Sequence, residues 1–510
     1  MKKVCGFSLA GGVVMSICLL FCAASAAGQN IPAPTLNFDG VYANPENGVP
    51  NPDVNGAVGA TQYVQFQSEV GLVAGVTGTG NYAVWNKSTG ALVYGPFSAA
   101  SLWKGFSGPC ATIPSSQTLV LYDQQASVWI VARHVYPNNS NTVLCLAISQ
   151  TSDFTATTTK GIPKFNRYSY VLTSLCPTCT NNDQMDSPRL GIWPDAYYMS
   201  FNLLANAAPH GFLGPLVCAF DRTSMIAGSK TPAAPVCFQP STTYESLSPV
   251  TLDGPNAPPT GSPNYFMNLG GSDTLNVWQF HVNFATEADS TFTGPTTVTI
   301  PPYNNACAAR GGFCIPQSPT PPAGCTPQPN CYKPSNLDAY GDRLMYRLSY
   351  RNFGTYESIL ATHTVNPIST DALAASRWYE IRTPETPALY QWGEFDPDTN
   401  DRWMPSIAQD DVGDMAIGYS VSSSTMYPSI SYTGRLATDP LGTLEDEISI
   451  MQGAGNQVFN TYWGGYSSMA IDPTDDCTFW YTNEYYTQQG SKIWNTRIAS
   501  FKFPGCSEAQ

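Results

Sequence analysis

The stretch Gln117-Thr-Leu-Val-Leu-Tyr-Asp123, the polar tetrad Gln124-Gln-Ala-Ser127 and the run Val128-Trp-Ile-Val-Ala-Arg133 decide the fold. Two short runs rich in β-branched and aromatic side chains, separated by a tight polar turn, read as a pair of strands. The unit recurs. Asp53-Val-Asn-Gly-Ala-Val-Gly59 leads into Gln62-Tyr-Val-Gln-Phe66, and Asp186-Ser-Pro-Arg-Leu-Gly-Ile-Trp193 into Ala196-Tyr-Tyr-Met-Ser-Phe201. A fainter copy runs from Leu247 through Asp253 into Asn264-Tyr-Phe-Met-Asn268. Others begin at Asp342-Arg-Leu-Met-Tyr-Arg347, Arg402-Trp-Met-Pro-Ser-Ile-Ala408 and Gly465-Tyr-Ser-Ser-Met-Ala-Ile-Asp472.

The starts near 53, 117, 186, 247, 342, 402 and 465 are spaced by 64, 69, 61, 95, 60 and 63 residues. The long gap holds the Pro-, Gly- and Cys-rich stretch 301–335, and removing about 30 residues of loop restores the period. A unit of 60 to 65 residues accommodates four strands, the content of one propeller blade, whereas paired β-sandwiches give no reason for so long a period. The expectation is an all-β, single-domain β-propeller of about seven four-stranded blades over 53–506, preceded by a segment 27–52 and carrying 301–335 as a surface insertion. Closure predicts that a strand from the other terminus completes the last blade, with the alternating stretch Thr496-Arg-Ile-Ala-Ser-Phe-Lys-Phe503 as its outer strand.

Composition places the chain outside the cytosol. Lys2 and Lys3, an apolar run to Cys22 and Ala24-Ser-Ala26 form a secretory signal with cleavage near Ala26, so a secreted or periplasmic location is expected. No later apolar run is long enough to span a bilayer. Of 15 cysteines, the 12 that remain after cleavage are even in number and favour disulfides. Short separations suggest Cys218 with Cys237, Cys307 with Cys314, Cys325 with Cys331 and Cys477 with Cys506, and Cys176-Pro-Thr-Cys179 reads as a small closed turn. A formal charge of −14, or −16 without Lys2 and Lys3, argues against nucleic-acid partners. The chain reads as a monomer.

The segments PDVNGAVGATQYVQ (52–65), LYDQQASVWIVAR (121–133), GIWPDAYYMS (191–200), YGDRLMYRLSYRNFG (340–354), RWMPSIAQDDVGDMAIGYSVSSS (402–424) and WGGYSSMAIDPTDDCTFWYTNEYY (463–486) resemble a family of secreted bacterial proteins with BNR-type, sialidase-like β-propellers, mostly of unassigned activity. The resemblance implies a ring of carboxylates at one mouth, because an Asp commonly opens the innermost strands. Here Gln117 and Gly465 stand at two such positions, leaving Asp53, Asp186 and Asp342, with Arg402 as a cationic member. True sialidase chemistry is disfavoured: Arg189, Arg343, Arg347 and Arg402 could supply cations and Tyr356/Glu357 or Tyr379/Glu380 a nucleophile pair, but the S-x-D-x-G-x-x-W box is missing.

Asp53, Asp186, Asp342, Arg343 and Arg402 are therefore the candidate catalytic group, since inner strands converge on one axis and facing carboxylates split their pKa values as glycoside hydrolysis requires. Arg189 is a candidate substrate contact, as are Trp392 and Trp463, whose neighbouring glycines suggest exposed rings that stack on sugars. The competing reading is that each Asp caps its own turn. Asp53-x-Asn55-Gly56 and Asp472-Pro-Thr-Asp475-Asp476 are candidate calcium loops without EF-hand spacing, and no other cofactor is expected. His134, His210, His281 and His363 are too scattered for a zinc site. Two readings stay open: a propeller that engages an extracellular polysaccharide or glycan at its channel mouth, as a glycoside hydrolase or lyase, and a non-catalytic binding or surface-interaction module.

Overall fold

A computed structural model describes residues 31–44, 52–75, 79–113, 117–137, 141–206, 211–308, 312–318, 334–367, 373–383 and 386–507. The leader 1–26, His210 and the Cys325/Cys331 pair lie outside the described residues. The architecture is all-β, with strands grouped in fours.

Six groups follow one another along the chain as antiparallel meanders, each with a largely buried innermost strand. These innermost strands are Asn55–Val58, Thr118–Asp123, Asp183–Ile192, Ser248–Leu252, Leu348–Asn352 and Asp401–Gln409, and Ser468–Ile471 opens the seventh group. Apolar and small residues dominate them because neighbours cover both faces, which is why they read as continuous rather than alternating runs. Outer strands such as Thr291–Thr299 are largely exposed, and their sequences turn polar. Successive innermost strands are neighbours from first to seventh, and the seventh in turn neighbours the first. The seventh group is finished from the N-terminus: Leu36–Asp39 pairs antiparallel with Trp494–Lys502 in the register Leu36 to Ser500 and Asp39 to Arg497. Trp494–Lys502 is thus the third strand of its group, and the outer position expected for it belongs to Leu36–Asp39.

The fourth and fifth groups depart from simple repetition. Their innermost strands pair parallel, Val250 with Leu348 and Leu252 with Tyr350, so nine strands form one sheet, eight in continuous order and Asn304–Asn305 paired off to the side with Glu357–Asn366. The fifth innermost strand starts at Leu348, six residues beyond the Asp342 start read from the sequence.

Interfaces between groups are packed by large aromatic side chains in place of a single central core. Trp129 and Phe154 lie against Phe66 and Tyr82, and the Trp193 ring meets Tyr350 at 4.6 Å between centroids. Polar side chains on innermost strands add cross-links. Asn55 Oδ1 accepts from the Val120 amide at 2.8 Å, Ser406 Oγ from the Met469 amide at 2.9 Å, and Ser468 Oγ from the Gly56 amide at 3.1 Å. Each satisfies a buried backbone donor that strand pairing leaves over. At Gly418, a Cβ would lie 2.5 Å from the Tyr481 ring, so only glycine lets the sixth and seventh groups approach.

Disulfides join Cys110–Cys145, Cys176–Cys179, Cys218–Cys237, Cys307–Cys314 and Cys477–Cys506. The first is unforeseen, because its 35-residue separation gave no local cue. No helix among the described residues is long and apolar enough to cross a membrane.

Candidate functional site

The N-terminal ends of innermost strands surround a cavity of about 460 Å3. Asp53, Gln117, Asp186, Arg189 and Gly465 reach it from four groups, and Phe313, Asp338, Tyr340 and Arg343 from the long connection between the fourth and fifth. Tyr462 and Tyr466 complete the wall. Asp342 lies beside it, in an adjoining cavity of about 310 Å3 that shares Asp338, Tyr340 and Arg343.

Local backbone chemistry aims these groups. In an ideal strand, residues three apart point to opposite faces. A register shift between Asp186 and Arg189, where Ser187 has φ 50° and Pro188 has no amide to donate, turns both side chains toward the cavity. Asp53 and Tyr340 both have φ 44°, a left-handed conformation that non-glycine residues adopt at a cost of about 1 kcal/mol or more. Three strained residues around one cavity are a concentration typical of functional sites.

Arg189 is the unusual member. Its side chain is 3 % exposed, it lies 4.8 Å over the Tyr466 ring, and its Nε and Nη1 atoms find no protein acceptor. Tyr466 likewise keeps a buried hydroxyl without a partner. Arg343, by contrast, forms a bidentate pair with Asp342 at 2.8 and 3.0 Å. Burial pushes the Asp342 carboxyl up, but the Arg343 guanidinium outweighs it and holds Asp342 below the usual range. Asp338, whose Oδ1 accepts from the Tyr340 amide at 2.9 Å, is instead raised, by burial first and by Asp342 second. Neighbouring carboxyl groups are thus pushed in opposite directions. Asp53 Oδ2 accepts from Ser68 at 3.2 Å and from Gln117 Nε2 at 3.3 Å, and Asp186 accepts from Ser187 at 3.0 Å. Beneath the cavity, burial drives Glu484 well above the carboxylate range although it accepts from the Gly464 amide at 2.9 Å. Burial also depresses His134 to about 4, against the pull of Asp186.

Several expected site residues lie elsewhere. Arg402 is not in the mouth group: it is buried between Asp398 and Glu447, at 2.8 and 2.7 Å, because its strand points it outward along the fifth and sixth groups. Trp463 is not exposed; its indole turns inward and donates to Ser420 Oγ at 3.0 Å. Trp392 is partly buried and carries Arg377 on its ring at 4.4 Å. Arg347 does not accompany Arg343 but pairs with Asp253 at 2.8 Å, lining a different cavity. Tyr356/Glu357 and Tyr379/Glu380 stay within the fifth group, where Glu357 accepts from Tyr350 and Tyr379 bonds His363.

In the calcium candidates, Asn55 and Asp53 oxygens already accept protein hydrogens, Asp472 binds Lys87 at 2.6 Å, and Asp476 holds Arg351 through two contacts of 2.7 Å. Among the described residues no group of three or more His, Cys, Asp or Glu could hold a metal ion. Sequence reasoning missed Phe313, Asp338, Tyr340, Tyr462, Tyr466 and Glu484. Tyr340 and Tyr466 sat inside quoted motifs, but nothing distinguished them from packing aromatics.

No protein-family model and no curated protein sequence matches the chain. Among solved structures, an α-L-arabinofuranosidase from Fusarium graminearum in complex with an iminosugar inhibitor aligns at 6% identity over 93% of this chain and 99% of that one, with a TM-score of 0.40. An exo-β-1,3-galactanase from Clostridium thermocellum aligns at 10% identity over 94% and 98%, TM-score 0.33. A fungal alcohol oxidase in complex with copper aligns at 9% identity over 94% and 79%, TM-score 0.41. Such scores carry no argument about activity, and the functional reading rests on the site.

Proposed function

We propose that the chain is an exported, closed seven-bladed β-propeller, kin to the BNR-type sialidase-like family, which binds an extracellular glycan in the cavity at the mouth of its innermost strands. The cyclic neighbourhood of the seven innermost strands and the completion of the last group by Leu36–Asp39 support closure. The signal-like N-terminus, together with five disulfides among the described residues, supports export.

The observation that carries the glycan reading is the buried Arg189 guanidinium, lining a polar cavity with unmet donors beside Asp53 and Asp186. Unmet buried donors cost about 1–3 kcal/mol each, and a ligand bearing many hydroxyl acceptors relieves them. Carboxylates accept the hydrogens that the same hydroxyl groups donate. Glycosidic hydrolysis is the chemistry the acids would add: as a water oxygen bonds the anomeric carbon and the glycosidic C–O bond breaks, Asp338, raised by burial, gives its proton to the leaving oxygen and Asp342, lowered by Arg343, takes the proton the water loses. A non-catalytic module is the second reading, favoured by the internal pairing of Asp186 with Ser187 and of Asp342 with Arg343.

Retention on a panel of immobilised polysaccharides, followed by reducing-end assays on every binder with wild type and Asp338→Asn, tests both. New reducing ends that Asp338→Asn abolishes establish hydrolysis. Binding without product leaves the module, and no retention by any polysaccharide sinks the glycan reading.

A further inference from the structure

We infer that the connection between the fourth and fifth sheets selects the ligand, with Phe313 and Tyr462 forming an aromatic rim that stacks on the apolar face of a neutral sugar; this rests on the glycan reading above. Both rings line the cavity while keeping much of their surface in solvent, Phe313 at 40 % and Tyr462 at 50 % relative exposure. Phe97, Tyr390 and Phe459 are exposed to a similar or greater degree, but none lines the cavity, where Tyr340 is half-buried and Tyr466 buried. Each ring has a built support. Phe313 precedes Cys314, whose disulfide to Cys307 and whose strand Phe313–Ile315, paired with Leu337–Asp338, fix the backbone. Tyr462 is held by its carbonyl, which accepts from Gln457 Nε2 at 2.7 Å, and by the Thr461 carbonyl, which accepts from the Asp338 amide at 2.8 Å. One connection thus carries Phe313, Asp338, Tyr340 and Arg343 to the cavity and braces the loop that carries Tyr462.

Charge decides the class of sugar. Asp53, Asp186, Asp338 and the adjoining Asp342 outnumber Arg189 and Arg343, and the whole chain carries −14. Arg343 is spent on Asp342, and Arg189 shares the cavity wall with Asp53, Asp186 and Asp338. Its charge is therefore countered while its N–H donors are not, the combination that suits a neutral hydroxyl or ring oxygen better than a second carboxylate. A pyranose or furanose ring fits twice over, with C–H faces for the rim and hydroxyls for Arg189, Asp53 and Asp186.

The test is affinity electrophoresis of the intact exported protein through gels containing a neutral polysaccharide (arabinoxylan, xyloglucan or dextran) or an anionic one (polygalacturonate or alginate). Wild type is expected to be retarded by at least one neutral polymer, independently of salt, and by neither anionic one. Phe313→Ala and Tyr462→Ala should each weaken retardation about 10-fold and Tyr462→Phe hardly at all, since the ring and not the hydroxyl is used. Because both rings are exposed, unchanged unfolding midpoints are expected in all three variants. Salt-sensitive preference for polygalacturonate or alginate would overturn the inference. So would retention within twofold of wild type in both alanine variants while Asp186→Asn abolishes it, an outcome that leaves the glycan reading standing. Retention by none of the five polymers overturns that reading and this inference together.

Discussion

Replacing Arg189 by Met separates a ligand-binding arginine from a structural one. Methionine follows the same stem but removes the charge and the two donors, Nε and Nη1, that find no protein acceptor. Each unmet buried donor costs about 1–3 kcal/mol, so the substitution relieves about 2–6 kcal/mol. Against this stand the lost contact with the Tyr466 ring at 4.8 Å, at most about 2 kcal/mol, and the lost attraction to neighbouring carboxylates, of similar size after screening. The balance lies within about 2 kcal/mol of no change, on either side. A residue 3 % exposed would ordinarily be destabilising to truncate, so a neutral or positive result is diagnostic. Urea unfolding followed by tryptophan fluorescence measures it, with the slope checked for constancy. Binding to whichever neutral polysaccharide retains the wild type should meanwhile fall about 100-fold, the worth of two charge-assisted hydrogen bonds. A loss of more than 2 kcal/mol in stability, with binding intact once refolded, would refute the reasoning and make Arg189 a packing residue.

Asp410 is raised to about 8, chiefly by burial and then by Asp414, while its Oδ1 accepts two backbone amides and its Oδ2 none. A raised carboxyl means the folded state holds a proton that the unfolded state releases, so stability falls as pH rises from about 4 to about 8. Asp410→Asn should match wild type near pH 4 and exceed it by at least about 2 kcal/mol at pH 8, measured by urea midpoints across that range. Burial likewise drives Glu484 well above its ordinary range, so Glu484→Gln should match wild type near pH 4 and become increasingly more stable than it as pH rises from there, read by thermal unfolding. Opening the Cys477–Cys506 bridge with paired serines releases a loop of 29 residues and should cost about 3–4 kcal/mol in the same urea assay under oxidising conditions.

The grouping of strands was legible because buried inner strands must be short, apolar and ended by turn formers, a pattern that a spacing near 63 residues exposes. Thr118–Asp123 and Ser248–Leu252 fall inside the stretches read as strands. The fifth strand was misplaced because Leu344-Met345-Tyr346 has the same apolar content as a strand, whereas the chain there is still completing the long connection. At the site, repetition brought Asp53 and Asp186 to notice, yet it also pointed to Arg402, which folding places between Asp398 and Glu447, the latter 45 residues away. Glycines beside Trp463 suggested exposure, but its indole turns inward to Ser420. Phe313, Asp338 and Tyr462 come from non-repeating loops, where no period marks a residue as special.

The parallel pairing of Val250–Leu252 with Leu348–Tyr350 has a mechanical meaning. Elsewhere adjacent groups meet through side chains and isolated backbone bonds, such as Arg402 N–H to the Ala374 carbonyl at 2.8 Å; here a run of parallel strand pairing crosses the boundary and fuses two groups into one plate. The connection bearing Phe313 and Asp338 leaves the fourth group and re-enters at Leu348, on that plate. The cavity's most elaborate wall is therefore mounted on the seam least able to flex, and adjustment to a ligand falls to the opposite side, where Asp53, Gln117 and Asp186 stand on separately packed sheets.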